Sequence, residues 1–139
     1  MIAPREMALI HARAFEGQAR AWTEPEFEAL LETDGVLTIG DARGFVLSRR
    51  VLDEAEVLTL ATDPDHRRQG IARGLLGNIE QQLRALGTTR QFLEVAAGNA
   101  PARALYAAMG YDQIALRRGY FKLPDGARDD AVILQKILI

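Results

Sequence analysis

The stretch Arg67-Arg68-Gln69-Gly70-Ile71-Ala72 joins an apolar run to the start of a long amphipathic segment. Free main-chain N–H groups at a helix start, with the helix dipole behind them, bind anions without a lysine. Gly70 has no Cβ, so a diphosphate could approach the main chain there, and Arg67, Arg68 and Arg73 add positive charge around it. By spacing alone the stretch is equally a solvated basic loop with a helix-starting glycine. Neither GxxxxGK[ST] nor a GxGxxG after a strand is present, which excludes the two familiar nucleotide loops. Glu94 is a second candidate, for general-base work. It lies between Phe92-Leu93 and Val95, and such apolar neighbours raise a carboxylate pKa toward the working range. The other reading of Glu94 is a strand carboxylate facing solvent or paired with an arginine. There is no cysteine, so thiolate nucleophiles, disulfides and cysteine-held zinc drop out together. The two histidines, His11 and His66, read as surface residues, and no metal site is expected.

These residues need elements to hold them. Met7, Ile10, Ala14 and Phe15 recur at helical spacing, which predicts a helix from Pro4 to about Glu16. Thr23 and Glu26 form a capping box for a second helix ending near Thr33. Strand-like runs follow at Val36–Ile39, Phe45–Val51 and Glu56–Ala61, the first two separated by a glycine-bounded turn and the third broken by Asp63-Pro64-Asp65. Ile71, Leu75, Leu76, Ile79, Leu83 and Leu86 then make one face of a long helix, with Gly87 at its C-terminal cap. A strand at Gln91–Val95, a helix from Asn99 through Met109, and strands at Tyr111–Arg117 and Ala131–Ile137 complete the order. Early hairpins and later crossover helices imply an α/β chain: a mixed sheet with helices on its faces.

The 139 residues read as a single domain over 1–139, with 48% apolar and 26% charged residues. A net charge of −2 supplies no basic field for nucleic acid or an anionic membrane. No apolar run approaches the roughly 18 residues of a membrane span, and Arg5-Glu6 is not the start of a secretory signal. A cytoplasmic location follows as the expectation.

The loop and the strand before it resemble the GNAT acetyltransferases. Arg67-x-x-Gly70-x-Ala72 matches that superfamily's Arg/Gln-x-x-Gly-x-Gly/Ala coenzyme A signature, and Leu58 to Pro64 is similar to its fourth strand and exit. The chain further resembles the bacterial ribosomal-protein alanine N-acetyltransferases. The resemblance rests on Val51 to Ala55, Leu93-Glu94-Val95, Asn99, Ala104-Leu105-Tyr106, Gly110-Tyr111, Arg117 to Phe121, Asp125-Gly126 and Asp130-Ala131. It spans roughly Arg5 to Leu134. It implies a twisted, mostly antiparallel mixed sheet flanked by helices and splayed between its two central strands. That family usually begins with a strand before the first helix. Only Met1-Ile2-Ala3 precede the helix here, so the strand is expected to be missing or lost to a late start.

The resemblance implies acetyl-CoA as donor, held by Leu60, Ala61 and Thr62 along the pantetheine arm and by Arg67 to Arg73 at the diphosphate, with Asn99 as cap and contact. It implies Glu94 as general base and Tyr106 as the acid toward the thiolate, although helical spacing alone makes Tyr106 a core aromatic. A main-chain N–H near Leu60 would meet the oxyanion. Trp22, Tyr120 and Phe121, the latter two in a polar turn region, would line the acceptor groove, though each is as readily a packing residue. The implied reaction is acetyl transfer to a protein N-terminal amine by a monomer or homodimer. A GNAT acting on a small amine or a lysine, and a silent acyl-CoA-binding module, are the alternatives.

Overall fold

The computed structural model of the chain describes residues 2–139; Met1, part of the short lead ahead of the first helix, lies outside them. Helices α1 (Pro4–Ala14) and α2 (Glu24–Leu31) come first, then strands β1 (Val36–Asp41), β2 (Gly44–Val51) and β3 (Glu54–Thr62). A short 3₁₀ turn at Pro64–His66 leads to α3 (Ile71–Ala85). Strand β4 (Arg90–Ala96), helix α4 (Ala100–Ala108) and the long hairpin β5 (Asp112–Lys122) and β6 (Arg128–Ile137) complete the chain. The six strands form one sheet in the order β1-β2-β3-β4-β6-β5, antiparallel throughout except between β3 and β4. Among the described residues α1 is the first element, so no strand precedes it.

Each helix forms for a local reason. In α2, Thr23 Oγ1 accepts the Glu26 N–H while Glu26 returns a bond to the Thr23 N–H, closing the capping box. In α4, Asn99 Oδ1 accepts the Ala102 N–H at 3.3 Å. Helix α3 has no such side-chain cap. The helices lie on both faces of the sheet. On one side α1 and α2 bury Met7, Ile10 and Phe27 against Phe45, Leu47 and Ala61. On the other, Leu76, Ile79 and Leu83 of α3 pack on Val46, Val57, Leu93 and Val132. Leu86, predicted for the packed face of α3, is instead 51% exposed, because the helix ends one residue earlier and Gly87 turns the chain away at φ 82°.

One extra residue decides which way the end of β3 faces. Leu47 pairs with Thr59 and Ser48 with Val57, leaving Leu58 as a bulge. Strict alternation would put Val57 and Ala61 on the same face. With the bulge, Val57 joins the α3 core and Ala61 the α1–α2 core.

His11 is buried, at 3% exposure, rather than at the surface. Its Nδ1 accepts the Trp22 N–H at 3.2 Å and its ring stacks on Trp22 at 5.0 Å. Burial first, then the nearby Arg20 charge, pushes its pKa down to about 4, with Glu26 opposing. The folded chain therefore keeps His11 neutral where the unfolded chain protonates it. The associated stability is fully present above about pH 6.5 and is lost as pH falls toward 4, by about 3 kcal/mol in all. Melting temperatures measured between pH 7 and 4 should show this loss. His11→Asn, which keeps an acceptor and cannot charge, should flatten that part of the curve; an unchanged slope would remove His11 as its source.

Candidate active site

Strands β3 and β4 run side by side only from Glu54–Glu56 against Arg90–Phe92. Beyond Glu56 and Phe92 they part, and the edge of β3 that faces β4 has no partner strand. The cause is in the elements that follow. After β3 the chain enters the Asp63–Asp65 turn, pinned by Arg13 of α1 through ion pairs of 2.8 Å to Asp63 and 3.0 Å to Asp65. The end of β4 stays with β6, pairing as far as Ala96 with Ala131.

A cleft of about 640 Å³ opens where β3 leaves β4. Leu60, Ala61 and Thr62 form one wall, the loop and first turn of α3 a second, and the cap Asn99 with Ala102, Leu105 and Tyr106 of α4 a third. The end of α1 and the residues after it, Ala14, Phe15 and Gln18, form the lip.

The start of α3 is built to receive an anion. Its first internal main-chain bond runs from the Gly74 N–H to the Gly70 carbonyl. With no side-chain cap, the N–H groups of Ile71, Ala72 and Arg73 are left for a ligand. Arg68 and Gly70 both take left-handed φ, 63° and 75°, and such alternation with right-handed or extended neighbours turns successive N–H groups into one concavity. A Cβ built on Gly70 would meet nothing within 4 Å, so the space beside this main chain is open. The Arg67 guanidinium, expected to add charge at this point, is partly engaged: its Nη2 donates to the Ala14 carbonyl at 3.1 Å.

Glu94 and Tyr106 lie on opposite sides of β4. Leu93 and Val95 enter the α3 core, so Glu94 projects from the other face. Its side chain is 27% exposed and meets Arg117 Nη1 at 3.4 Å; thus the arginine pairing open to it in the sequence is present. Tyr106 is buried in the α3 core and forms part of the cleft wall. Burial pushes its hydroxyl pKa up to about 12, so it carries its proton throughout the neutral range. The gap between β3 and β4 is the passage that joins the two faces.

Of the predicted cofactor residues, all but Gln69 line the cleft. Gln69 is exposed and is not part of the cleft lining. Trp22 does not reach the cleft; it lines a separate hollow of about 430 Å³ with Arg20, Glu26, Ala29, Leu30 and Thr33. Tyr120 and Phe121 lie within β5, not in a turn, because the hairpin runs to Lys122 before Gly126 reverses it at φ 87°. Tyr120 is 48% exposed, beneath the Arg117 guanidinium. His66, given no role by its position in the sequence, is half-buried in the cleft wall. The contribution of α1 to the lip left no mark in the local sequence, since it depends on how α1 crosses the end of β3.

A parallel central pair splayed at one end, with an uncapped helix start in the opening, defines the class of α/β fold to which the chain belongs. Residues 5–111 match the acetyltransferase (GNAT) family, and the chain belongs to that family. Its relatives include the [ribosomal protein bS18]-alanine N-acetyltransferase of Escherichia coli strain K12, 41% identical over 95 residues. That alignment takes in 68% of this chain and 64% of the relative, a little under two thirds of its length. The crystal structure of the ribosomal-protein-S18-alanine N-acetyltransferase from Escherichia coli superimposes with a TM-score of 0.86 at 33% identity, covering 97% of this chain and 87% of that one. Arabidopsis thaliana NAA60 in complex with acetyl-CoA shares the fold, with a TM-score of 0.78 at 18% identity over 98% of this chain and 95% of that one.

Proposed function

We propose that the chain transfers an acetyl group from acetyl-CoA to the N-terminal α-amino group of a protein, with an N-terminal alanine of a ribosomal protein as the acceptor. The observation that carries the donor half is the uncapped, glycine-led start of α3 facing the open edge of β3. The acceptor half rests on the relatives, whose names specify alanine of bS18.

Bound acetyl-CoA supplies the thioester. The N–H groups of Ile71 to Arg73, with Arg68 and Arg73 beside them, hold the diphosphate. Leu60 to Thr62 align the pantetheine arm along the unpartnered edge of β3, and a main-chain N–H near Leu60 meets the charge that develops on the carbonyl oxygen. Glu94, on the far face, takes a proton from the amine, directly or through water. An α-amino group, with a pKa of roughly 7.7–8.0, needs less help from such a base than a lysine at roughly 10.4. Tyr106 presents its proton to the leaving sulfur.

The test is acetyl-CoA turnover with an alanine-first basic peptide, the same peptide blocked at its N-terminus, and a panel of polyamines. Turnover should be confined to the free N-terminus. Equal rates on the blocked peptide would move the acceptor to a lysine side chain, and a preference for polyamines to a small amine. Cofactor binding without turnover on any amine would leave an acyl-CoA-binding module.

A further inference from the structure

The open face of the sheet beside the splay carries a row of charges around Glu94, of which the proposed reaction uses Glu94 alone. Arg49 of β2 stands in register with Glu56 of β3. Glu56 pairs with Phe92 of β4, two residues before Glu94 and on the same face. Arg117 of β5 reaches Glu94 from two strands away, over Ala131 of β6, whose small side chain leaves room for the crossing. The order is cation, carboxylate, carboxylate, cation. The Glu56 pKa is raised, by burial first and then by the Glu94 charge, with Arg117 and Arg49 opposing.

The pairing of the hairpin is irregular just after Arg117. Strand β5 pairs with β6 as far as Arg117 with Ala131, and again from Phe121 with Asp129, and the register shifts between them. Three residues of β5 therefore stand opposite Asp130 alone. Gly119, among them, takes φ 60°, and its N–H is held by Asp130 Oδ1 at 2.8 Å. Arg117 has a second seat, held at the same time as Glu94: its guanidinium carbon lies 5.0 Å from the centre of the Tyr120 ring.

We propose that Arg117 is a positioning residue that occupies, on Glu94, the place of the acceptor's ammonium group, and that it gives up this carboxylate, keeping its seat on the Tyr120 ring, when the amine arrives. The inference rests on the reading of Glu94 as the base. In the acceptor-free chain the Arg117–Glu94 pair holds the carboxylate ready and discourages stray cations. An incoming amine replaces one ion pair by another, while Tyr120 keeps the released guanidinium from being left without a partner.

The experiment is steady-state kinetics with an alanine-first peptide and acetyl-CoA on Arg117→Ala, Arg117→Lys, Tyr120→Ala and Glu94→Gln, each checked for an unchanged melting temperature. Arg117 is 57% exposed, and its replacement should not unfold the chain. Arg117→Ala removes the competitor and should lower the acceptor KM by up to about fivefold, the limit for an exposed ion pair, with the acetyl-CoA KM unchanged. Arg117→Lys keeps a cation there and should restore the wild-type acceptor KM. Tyr120→Ala removes the second seat and should raise the acceptor KM by about two- to fivefold. An acceptor KM that stays constant or rises in Arg117→Ala overturns the inference. If Glu94→Gln loses activity while Arg117→Ala leaves the acceptor KM alone, only the competition is wrong. If Glu94→Gln keeps its rate, the base assignment fails, and the inference with it.

Discussion

Glu94→Gln is expected to lower acetyl transfer to an alanine-first peptide at pH 7 by about 10²- to 10⁴-fold, the usual contribution of general acid–base catalysis. Glutamine keeps the size of the side chain and an oxygen toward Arg117, which lies 3.4 Å from Glu94. It cannot take a proton. Acetyl-CoA affinity, measured calorimetrically, should be unchanged, because Glu94 is not in the wall of the donor cleft. The deficit should narrow as pH rises past roughly 8, where the acceptor's α-amine becomes neutral unaided. A rate within a few-fold of wild type at pH 7 would remove Glu94 as the base. Loss of donor binding in step with the rate would mean that the substitution had disturbed the splay instead.

The second large effect concerns stability. Glu80→Ala should destabilise the fold by about 3–5 kcal/mol, the cost of breaking a buried charge pair by removing one partner. Glu80 is 2% exposed on α3. Its carboxylate accepts from Lys136 Nζ at 2.7 Å and from the Tyr111 hydroxyl at 2.9 Å. Tyr111 in turn accepts from Gln91 Nε2 at 2.8 Å, and Gln91 Oε1 accepts from Ser48 Oγ at 2.7 Å. This one chain of polar groups ties α3 to β2, β4 and β6 through the middle of the core. It also steadies Tyr106, whose ring stands edge-on to Tyr111 at 5.7 Å. Replacing Glu80 leaves the Lys136 ammonium without its carboxylate. Thermal melts should fall by about 10 °C or more, and Glu80→Leu combined with Lys136→Met should recover much of the loss, because an apolar pair of similar volume needs no partner. A drop of less than about 1 kcal/mol in the single variant would show that Lys136 reaches solvent at little cost.

The cleft wall at the start of α3 was legible in the sequence because its parts are contiguous. Arg67 to Arg73 is at once the loop, the helix start and the positive charge, and the strand before it ends within ten residues. Helix starts and turns are local structures, and their caps, glycines and periodicities lie a few residues apart. Other features were out of reach for the same physical reason. His11 reads as a surface residue because what buries it, Trp22 and Phe27, comes from the loop after its helix and from the helix that follows. Nothing in the local sequence marks Glu80, since its partners lie 31 and 56 residues away. The length of the β5–β6 hairpin escaped because Arg117 to Phe121, rich in arginine and glycine, has no strand pattern of its own and is held by β6.

The amino-acid sequence by itself determined that Arg67 to Ala72 opens a helix and that an apolar strand leads into it. Capping, dipole and glycine conformation act over a few residues, so they are written locally. Whether that opening is a binding site was decided only in three dimensions. The parting of β3 from β4 at Glu56 and Phe92, the lip supplied by α1, and the placement of Glu94 and Tyr106 on opposite sides of one strand all depend on packing between distant elements. So does the Arg117–Glu94 contact, which crosses an intervening strand and brings together residues 23 positions apart.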